Sequence, residues 1–515
     1  MSQKGMEWPG LSAALAGFLP LRPDMRHLVP GAEGLIYTPT PYKYSYINQK
    51  SFALALVFAI SAGLSALMWL TSAYDNAILK LVSIRDDIDT VFENWRYPPT
   101  KPRLFVYIFN YTNSEKFLEG KEMPKVQEMG PYVFSEEMER INVVFNPNST
   151  VTFQEVKRIE PLPNESNGTF NDMVWVPNIP YLTIVNVASS ADYAVQTVFS
   201  VFGSSSKVTP FLNVSVNDFI WGIRDNFFES LRKMKQFFGD ESLKPFGFLA
   251  KRKGFHPDII TMNTGNRDLD TVGIITRWNG ASKIGKWGNT TCDSMESTDG
   301  SMFPGRLVMR GEPLYVYAHS MCRRIPLRFN RTTLSKDGFP VQQYNVAEDM
   351  FDYSIPENSC FDYNGKYPMK GVFSNAPCQN GAPIYTSFPH FWQGDATLRQ
   401  DVEGLNPDPK KHYSYFQIHE KLGICLRVRT RFQLNIVLKK PIHVNELSKL
   451  PKEVILPVGW LDYDSGDLSE PFINTLYHLT YTVRIVEEVL KWLLLSITIG
   501  SLTFLLLEVK KCIKK

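Results

Sequence analysis

The sequence predicts an α+β protein: a two-pass membrane hairpin that carries one large, mainly β ectodomain between its anchors. Three observations predict it. Residues 51–74 hold no charge over 24 positions, and a second uncharged run of 16 residues extends from Trp492 to Leu507, against the roughly 20 that a spanning helix needs. Seven Asn-x-Ser/Thr sequons, at Asn110, Asn148, Asn164, Asn167, Asn213, Asn289 and Asn330, all fall between those two runs. The same interval is filled by short β-rich segments separated by Pro, Gly and Asn.

Residues 1–50 contain Pro23, Pro30, Pro39 and Pro41, which predicts a largely disordered cytoplasmic tail. The apolar segment 51–74 follows fifty residues that include Lys and Pro, so it is read as a retained transmembrane helix and not as a cleaved leader. The second transmembrane helix is placed at 489–507, where Val489 and Leu490 extend the uncharged run and Lys491 snorkels. Small-residue faces, Ala59 with Gly63 and Ser496 with Gly500, suggest that the two helices pack together. The tail 508–515 holds four Lys against Glu508, and residues 1–50 are also net positive, which places both tails in the cytoplasm. With the whole chain at +3, the tails leave about −2 for the ectodomain, 75–488. Bulk charge therefore gives no support to nucleic-acid binding.

Outside the first anchor, Ile78, Leu81, Val82, Ile88, Val91, Phe92 and Trp95 recur at helical spacing up to Tyr97-Pro98-Pro99. A counterpart runs from Ser469-Glu470-Pro471 through Leu476 and Val483 into the second anchor. Between them, Leu104 to Phe109, Val143 to Phe153, Leu314 to Ala318 and Leu426 to Leu438 read as strands of an antiparallel core. Two stretches break the β pattern: Ser190 to Phe202, and a helix opened by a capping box at Ser215-Val-Asn-Asp218 and running to Leu231.

Cysteines 292, 322, 360, 378 and 425 lie in the ectodomain, where disulfides are expected, and two bonds among five residues allow fifteen connectivities. No C-x2-C or His-x3-His spacing supports zinc, and no Gly-x-Ser-x-Gly, His-Glu-x-x-His or phosphate-binding Gly loop points to an enzyme or a cofactor. His390, alone among aromatics, reads as a satisfied structural residue. Asp462-Tyr-Asp464-Ser-Gly466 starts like a calcium loop and lacks the rest. Cys512, just inside the membrane, is a candidate for palmitoylation.

Several motifs, in one order, resemble the class B scavenger receptor family. They are Gly130-Pro131-Tyr132, Trp221-Gly222-Ile223-Arg224-Asp225, Trp278-Asn279-Gly280 through Cys292-Asp293 to Asp299-Gly300 with Phe303-Pro304, and Phe388-Pro389-His390-Phe391 followed by Gly404-Leu405-Asn406-Pro407. The resemblance covers about Leu104 to Phe472. It implies a twisted antiparallel β barrel, capped by an apical helical bundle and traversed by an apolar tunnel. It implies disulfides Cys292 with Cys360 and Cys322 with Cys378, leaving Cys425 as a free buried thiol, while Asp362 stands where some relatives carry a cysteine of a third bond. It also implies a basic pair that recruits anionic particles, of which Lys207 occupies one position and Ser205 the other, so half of that site is absent.

The function so implied is a cell-membrane receptor with an extracellular ectodomain. It would bind lipids, lipoproteins or other hydrophobic cargo, such as fatty acids, sterols or carotenoids, and pass them through the tunnel to the membrane. The alternative is a recognition receptor for apoptotic cells or microbes. A lysosomal location is disfavoured by the absence of a leucine-based signal in 508–515.

Overall fold

The computed structural model describes residues 49–86, 89–189, 208–224, 228–229, 232, 245–362, 369–379, 381–439, 447, 449–450 and 452–513. Two long helices stand at the ends of this range. One is Gln49–Leu70, and the other is Val483–Ile513, continuous with Glu470–Tyr477 through a single π turn at His478–Thr482. Both are long and apolar enough to cross a membrane, and most of their Leu, Ile, Val and Phe side chains are exposed.

The helices pack side by side on a face different from the expected one. Ser61, Ser65 and Ser501 are buried between them, whereas Ala59, Gly63 and Ser496 are exposed and a Cβ at Gly63 or Gly500 would meet nothing within 4 Å. A shift of two residues turns a helix by about 200°, so a small-xxx-small pattern in the wrong phase points away from its partner. Two of these hydroxyls bond back to their own helix, Ser61 to the Phe58 carbonyl at 3.2 Å and Ser501 to that of Thr498 at 3.0 Å. At one end of the pair Trp69 meets Trp492 edge-on at 5.5 Å, and Lys491 lies over Trp69 while pairing with Glu487 at 2.7 Å.

The chain after the first anchor forms two helices, Ala73–Leu81 and Asp89–Arg96, and not the single one that periodicity suggests. The break lies at Ile84, whose N–H is donated to the Thr264 carbonyl and whose side chain is buried beside Trp95, Val151, Phe153 and Ile260. Tertiary hydrogen bonding and burial there outweigh local helical preference. The run Val143 to Phe153 is likewise a hairpin, turning at Asn146–Thr150 with Ser149 at positive φ.

Fifteen strands are seen among the described residues: β1 (Arg103–Tyr111), β2 (Val126–Asn146), β3 (Thr150–Pro161), β4 (Met173–Pro177), β5 (Phe211–Ser215), β6 (Gly254–Asn263), β7 (Ile275–Trp278) and β8 (Leu314–Ala318), then β9 (Arg323–Leu334), β10 (Pro340–Val346), β11 (Val372–Ser374), β12 (Ile384–Ser387), β13 (Tyr415–His419), β14 (Cys425–Leu438) and β15 (Val454–Asp464). Thirteen of them make one antiparallel sheet in the order β7-β6-β3-β2-β1-β15-β14-β13-β10-β9-β8, with β12 also on β14 and β11 on β12. β4 and β5 form a separate pair. Both edges of the large sheet are hydrogen-bonded to one short segment: Ile275 of β7 donates to Ser297, and Thr298 exchanges N–H and C=O bonds with Tyr315 and Tyr317 of β8. Neither edge is left as an open row of donors and acceptors there.

Candidate functional site: the inner face of the sheet

Register defines which side chains share a face. Val106 pairs with Leu461 and with Tyr132, Leu104 with Tyr463 and with Phe134, and Phe432 with Leu461. Side chains alternate along a strand, so Val428, Phe432 and Leu434 of β14 stand on the same face as Leu461 and Tyr463 of β15. Two and six residues beyond Phe134, Glu136 and Arg140 of β2 are on that face as well; they pair in register with Ile159 and Glu155 of β3, with Lys157 between. The opposite face of β2 and β3 carries Glu137, Arg158 and Glu160, all exposed. The first face is therefore the inner one.

Helices close on it from two directions. Val216–Trp221 starts at Ser215, whose hydroxyl accepts the Asp218 N–H, and brings Phe219 and Trp221 against the sheet, with Trp221 meeting Phe134 edge-on at 5.5 Å. This helix ends at Trp221, short of the expected Leu231, because Gly222 takes up a non-helical conformation. From the side of the anchors, Trp95 packs on Phe153 at 5.1 Å and under the Arg140 guanidinium at 4.9 Å.

Between these ends part of the inner face is accessible. Tyr463 and Cys425 are half-buried. Arg252 has 32% of its side chain accessible. Val428, Phe432, Leu434 and Leu461 are half-buried on the same face and make its apolar part.

The charged groups of the inner face are paired. Arg252 donates from Nη2 to Glu136 at 3.0 Å and also from Nε, Lys157 meets Glu155 at 3.1 Å, and Arg140 meets Asp299 at 2.7 Å. Burial pushes the Glu136 and Asp299 carboxyls up, but Arg252 and Arg140 respectively outweigh it and hold each below the usual carboxylate range. Burial, and to a lesser degree the Asp299 carboxylate, pushes the Cys425 thiol up, and its S–H lies near the Gln417 and Arg427 carbonyls.

On the other face of β14 and β15, Asp462 accepts Arg429 at 2.9 Å and Arg431 at 3.1 Å, and Asp464 accepts Arg427 at 2.9 Å. The two aspartates that begin like a calcium loop are arginine partners. His390 is satisfied at its N–H and at both ring nitrogens: its N–H goes to Gln433, Nε2 to Glu128 at 2.6 Å, and Nδ1 accepts the Asn406 N–H. Sequence reasoning missed the Asp462 cluster and the charged inner face, for which the only signal lies in strand pairing.

Cys292 is bonded to Cys360 and Cys322 to Cys378, and Cys425 is free. Arg323, adjoining Cys322, is buried against Phe361 at 4.0 Å and Phe373, and burial pulls its guanidinium down to about 9. Lys207, the Cys512 side chain, Asp225, the segment Ser190 to Phe202 and the tail 1–48 lie outside the described residues. Of the sequon residues, Asn148, Asn164, Asn167, Asn213, Asn289 and Asn330 are exposed, while Asn110 is half-buried and its Oδ1 accepts the Trp175 N–H at 2.8 Å. Glycopeptide mapping of protein from secretory cells is expected to find glycans at the six exposed sites and least occupancy at Asn110. Full occupancy of Asn110 would show that this contact forms only after modification.

Two apolar helices side by side, with one large antiparallel sheet in the chain between them, define a two-anchor membrane protein. The chain belongs to the CD36 family, which it matches over residues 53–509. It is 28% identical to scavenger receptor class B member 1 of Mus musculus, over 82% of this chain and 82% of that protein. It is also 28% identical to lysosome membrane protein 2 of Rattus norvegicus, over 76% of this chain and 81% of that protein, and to the Homo sapiens protein of the same name, over 79% and 85%. The resemblance carried by the motifs is to this same family.

Proposed function

We propose that this chain is a membrane-anchored lipid receptor whose ectodomain, 75–488, takes hydrophobic cargo from a carrier and passes it through the interior of a closed β barrel to the bilayer. Residues 51–74 and 489–507 are the spans, and the ectodomain faces the cell exterior. The single observation that carries this reading is the apolar stripe Val428, Phe432, Leu434 and Leu461, partly accessible on the inner face of the sheet. Barrel closure is supported by the segment 297–298, which hydrogen-bonds to both edge strands. A receptor role is supported by the relatives named scavenger receptor class B member 1. Transfer needs no energy input, because apolar surface gains about 25 cal/mol per Å² wherever it leaves water.

The test places tryptophan at Leu434 or Leu461 and follows delivery of a fluorescent sterol ester from donor particles to vesicles that contain the full chain. Delivery is expected to fall at least about tenfold, a barrier of roughly 1.4 kcal/mol or more, while particle capture persists. Unchanged delivery with normal folding would leave a recognition receptor for particles such as apoptotic cells or microbes. Charge reversal at Lys207 is expected to do the opposite, weakening capture of anionic particles in a salt-dependent way and sparing transfer of neutral lipid.

A further inference from the structure

We propose that the outward face of the β4–β5 pair is a carbohydrate seat, on which Trp175 and Met173 carry the first N-acetylglucosamine of a glycan attached at Asn213 of the same chain. Such a seat requires only that residues 75–488 pass through a glycosylating compartment, and it is independent of lipid passage through the interior. Two large apolar side chains are left in solvent there. β4 alternates cleanly: Val174 and Val176 are fully buried in the main core, while Met173 is 54% and Trp175 38% exposed. β5 follows, with Leu212 and Val214 packed against that core. Farther along the outward face of β5, Phe211 is covered by Tyr111 at 4.9 Å and by Phe117 at 6.2 Å. Protein thus covers one end of the ribbon and leaves Trp175 and Met173 open at the other.

Strand register identifies the occupant. Asn213 is exposed, begins the sequon Asn213-Val214-Ser215 and lies directly opposite Trp175, with Ser215 opposite Met173. Directly opposed side chains share a face, with Cβ atoms about 4.5–5.5 Å apart. The N–H and C=O of a strand residue point to the same side, and the Trp175 N–H is given to Asn110 Oδ1 at 2.8 Å and not to β5. Trp175 and Asn213 are therefore a non-hydrogen-bonded pair, the kind in which side chains stand closest. A sugar on Asn213 Nδ2 begins beside the indole. One face of a pyranose presents C–H groups of slight positive charge and the indole face is electron-rich, so the two stack while the sugar hydroxyls stay in water. A large partner is a poor occupant of the same patch, because the glycan stands in front of it. The stacked sugar also steadies the ribbon from which the helix Val216–Trp221 starts, since Ser215 both ends β5 and caps that helix.

The test uses the full chain in lipid nanodiscs, made in secretory cells that leave N-glycans in the high-mannose form, and follows oxidation of Met173 and Trp175 by hydroxyl radicals, peptide by peptide. Wild-type protein is expected to carry a glycan at Asn213 and to be oxidised at both residues at least about threefold more slowly than Asn213→Gln. The sequon is broken at Asn213 because Ser215→Ala would also remove the helix cap. Trimming with an endoglycosidase that leaves one N-acetylglucosamine is expected to keep the protection. A peptide N-glycosidase, which releases that sugar as well and turns the asparagine into aspartate, is expected to abolish it, and this comparison needs no variant to fold. Asn330→Gln is the control: Asn330 falls in the bulge of β9 with no residue opposite, and its loss is expected to leave Met173 and Trp175 unchanged. An unmodified Asn213, or equal oxidation of intact, trimmed and sugar-free protein, overturns the seat. Protection that is lost on trimming to one sugar overturns its assignment to the first residue of the glycan.

Discussion

Asp462→Ala is expected to destabilise the ectodomain by about 3–5 kcal/mol, the cost of removing one partner from a buried ion pair. Asp462 is 2% exposed and serves two guanidiniums: Arg429, through Nε at 3.0 Å and Nη2 at 2.9 Å, and Arg431, through Nε at 3.1 Å. Arg431 is itself buried, so the alanine leaves a dehydrated cation with only the Tyr413 carbonyl as a named acceptor. Asp467 provides the control. It pairs with Lys336 at 2.6 Å, but both side chains are more than half exposed, so Asp467→Ala is expected to change stability by at most about 1 kcal/mol. Thermal unfolding of the two variants beside wild type checks the contrast. A fall of several degrees is expected for Asp462→Ala alone, and equal midpoints would show that Arg429 and Arg431 find other acceptors.

The contrast also marks where sequence reading reached and where it stopped. The anchors were legible because an uncharged run of spanning length is rare outside membranes. The motif order was legible because its residues hold loops whose geometry admits few substitutes: Asp293 accepts N–H groups from Lys286, Trp287 and Asn289, and Asn279, at positive φ, bonds Ile259 and Asp258. Other features depend on partners distant in sequence. The helix break at Ile84 requires Thr264, and the turn inside Val143 to Phe153 shows only in the pairing of β2 with β3. The run Glu136-Glu137-Met138-Glu139-Arg140 has charges on both faces and no alternation, so it reads as a solvated segment. Only the register, with Glu136 beside Ile159 and in line with Phe134, turns half of it inward. The candidate site was therefore the least legible part of the chain, because its chemistry lies in the pairing of strands.

Acidification from pH 7 to about 4 is expected to remove about 6 kcal/mol of stability, mainly through two buried histidines. His412 and His419 are 3% and 2% exposed, and burial pulls each down to about 4 from the ordinary 6.5. Neither ring is placed to carry a proton easily. His412 Nδ1 accepts the Asp408 N–H at 3.0 Å, and its ring stacks on His390 at 4.9 Å. His419 Nδ1 accepts the N–H groups of Lys421 and Leu422, and its Nε2 meets Thr480 at 2.9 Å. Both stay neutral in the folded state while the unfolded chain protonates them near 6.5, so the unfolded state binds more protons between 6.5 and 4. Their stabilisation is full above 6.5 and is lost as pH falls, by about 3 kcal/mol per histidine at pH 4, each unit being about 1.4 kcal/mol. The carboxylates held low, Glu136 and Asp299, act in the same direction but only below the ordinary carboxylate range. Above it the histidines dominate. Unfolding midpoints measured from pH 7 to 4.5 should therefore fall, and His419→Asn or His412→Asn should each flatten the slope by roughly half. A flat wild-type profile across that range would mean that both rings titrate as freely in the fold as in the open chain. The expected slope instead makes the ectodomain most stable near neutral pH and loosens, on acidification, the contact between His419 and Thr480 that joins the sheet to the helix entering the second anchor.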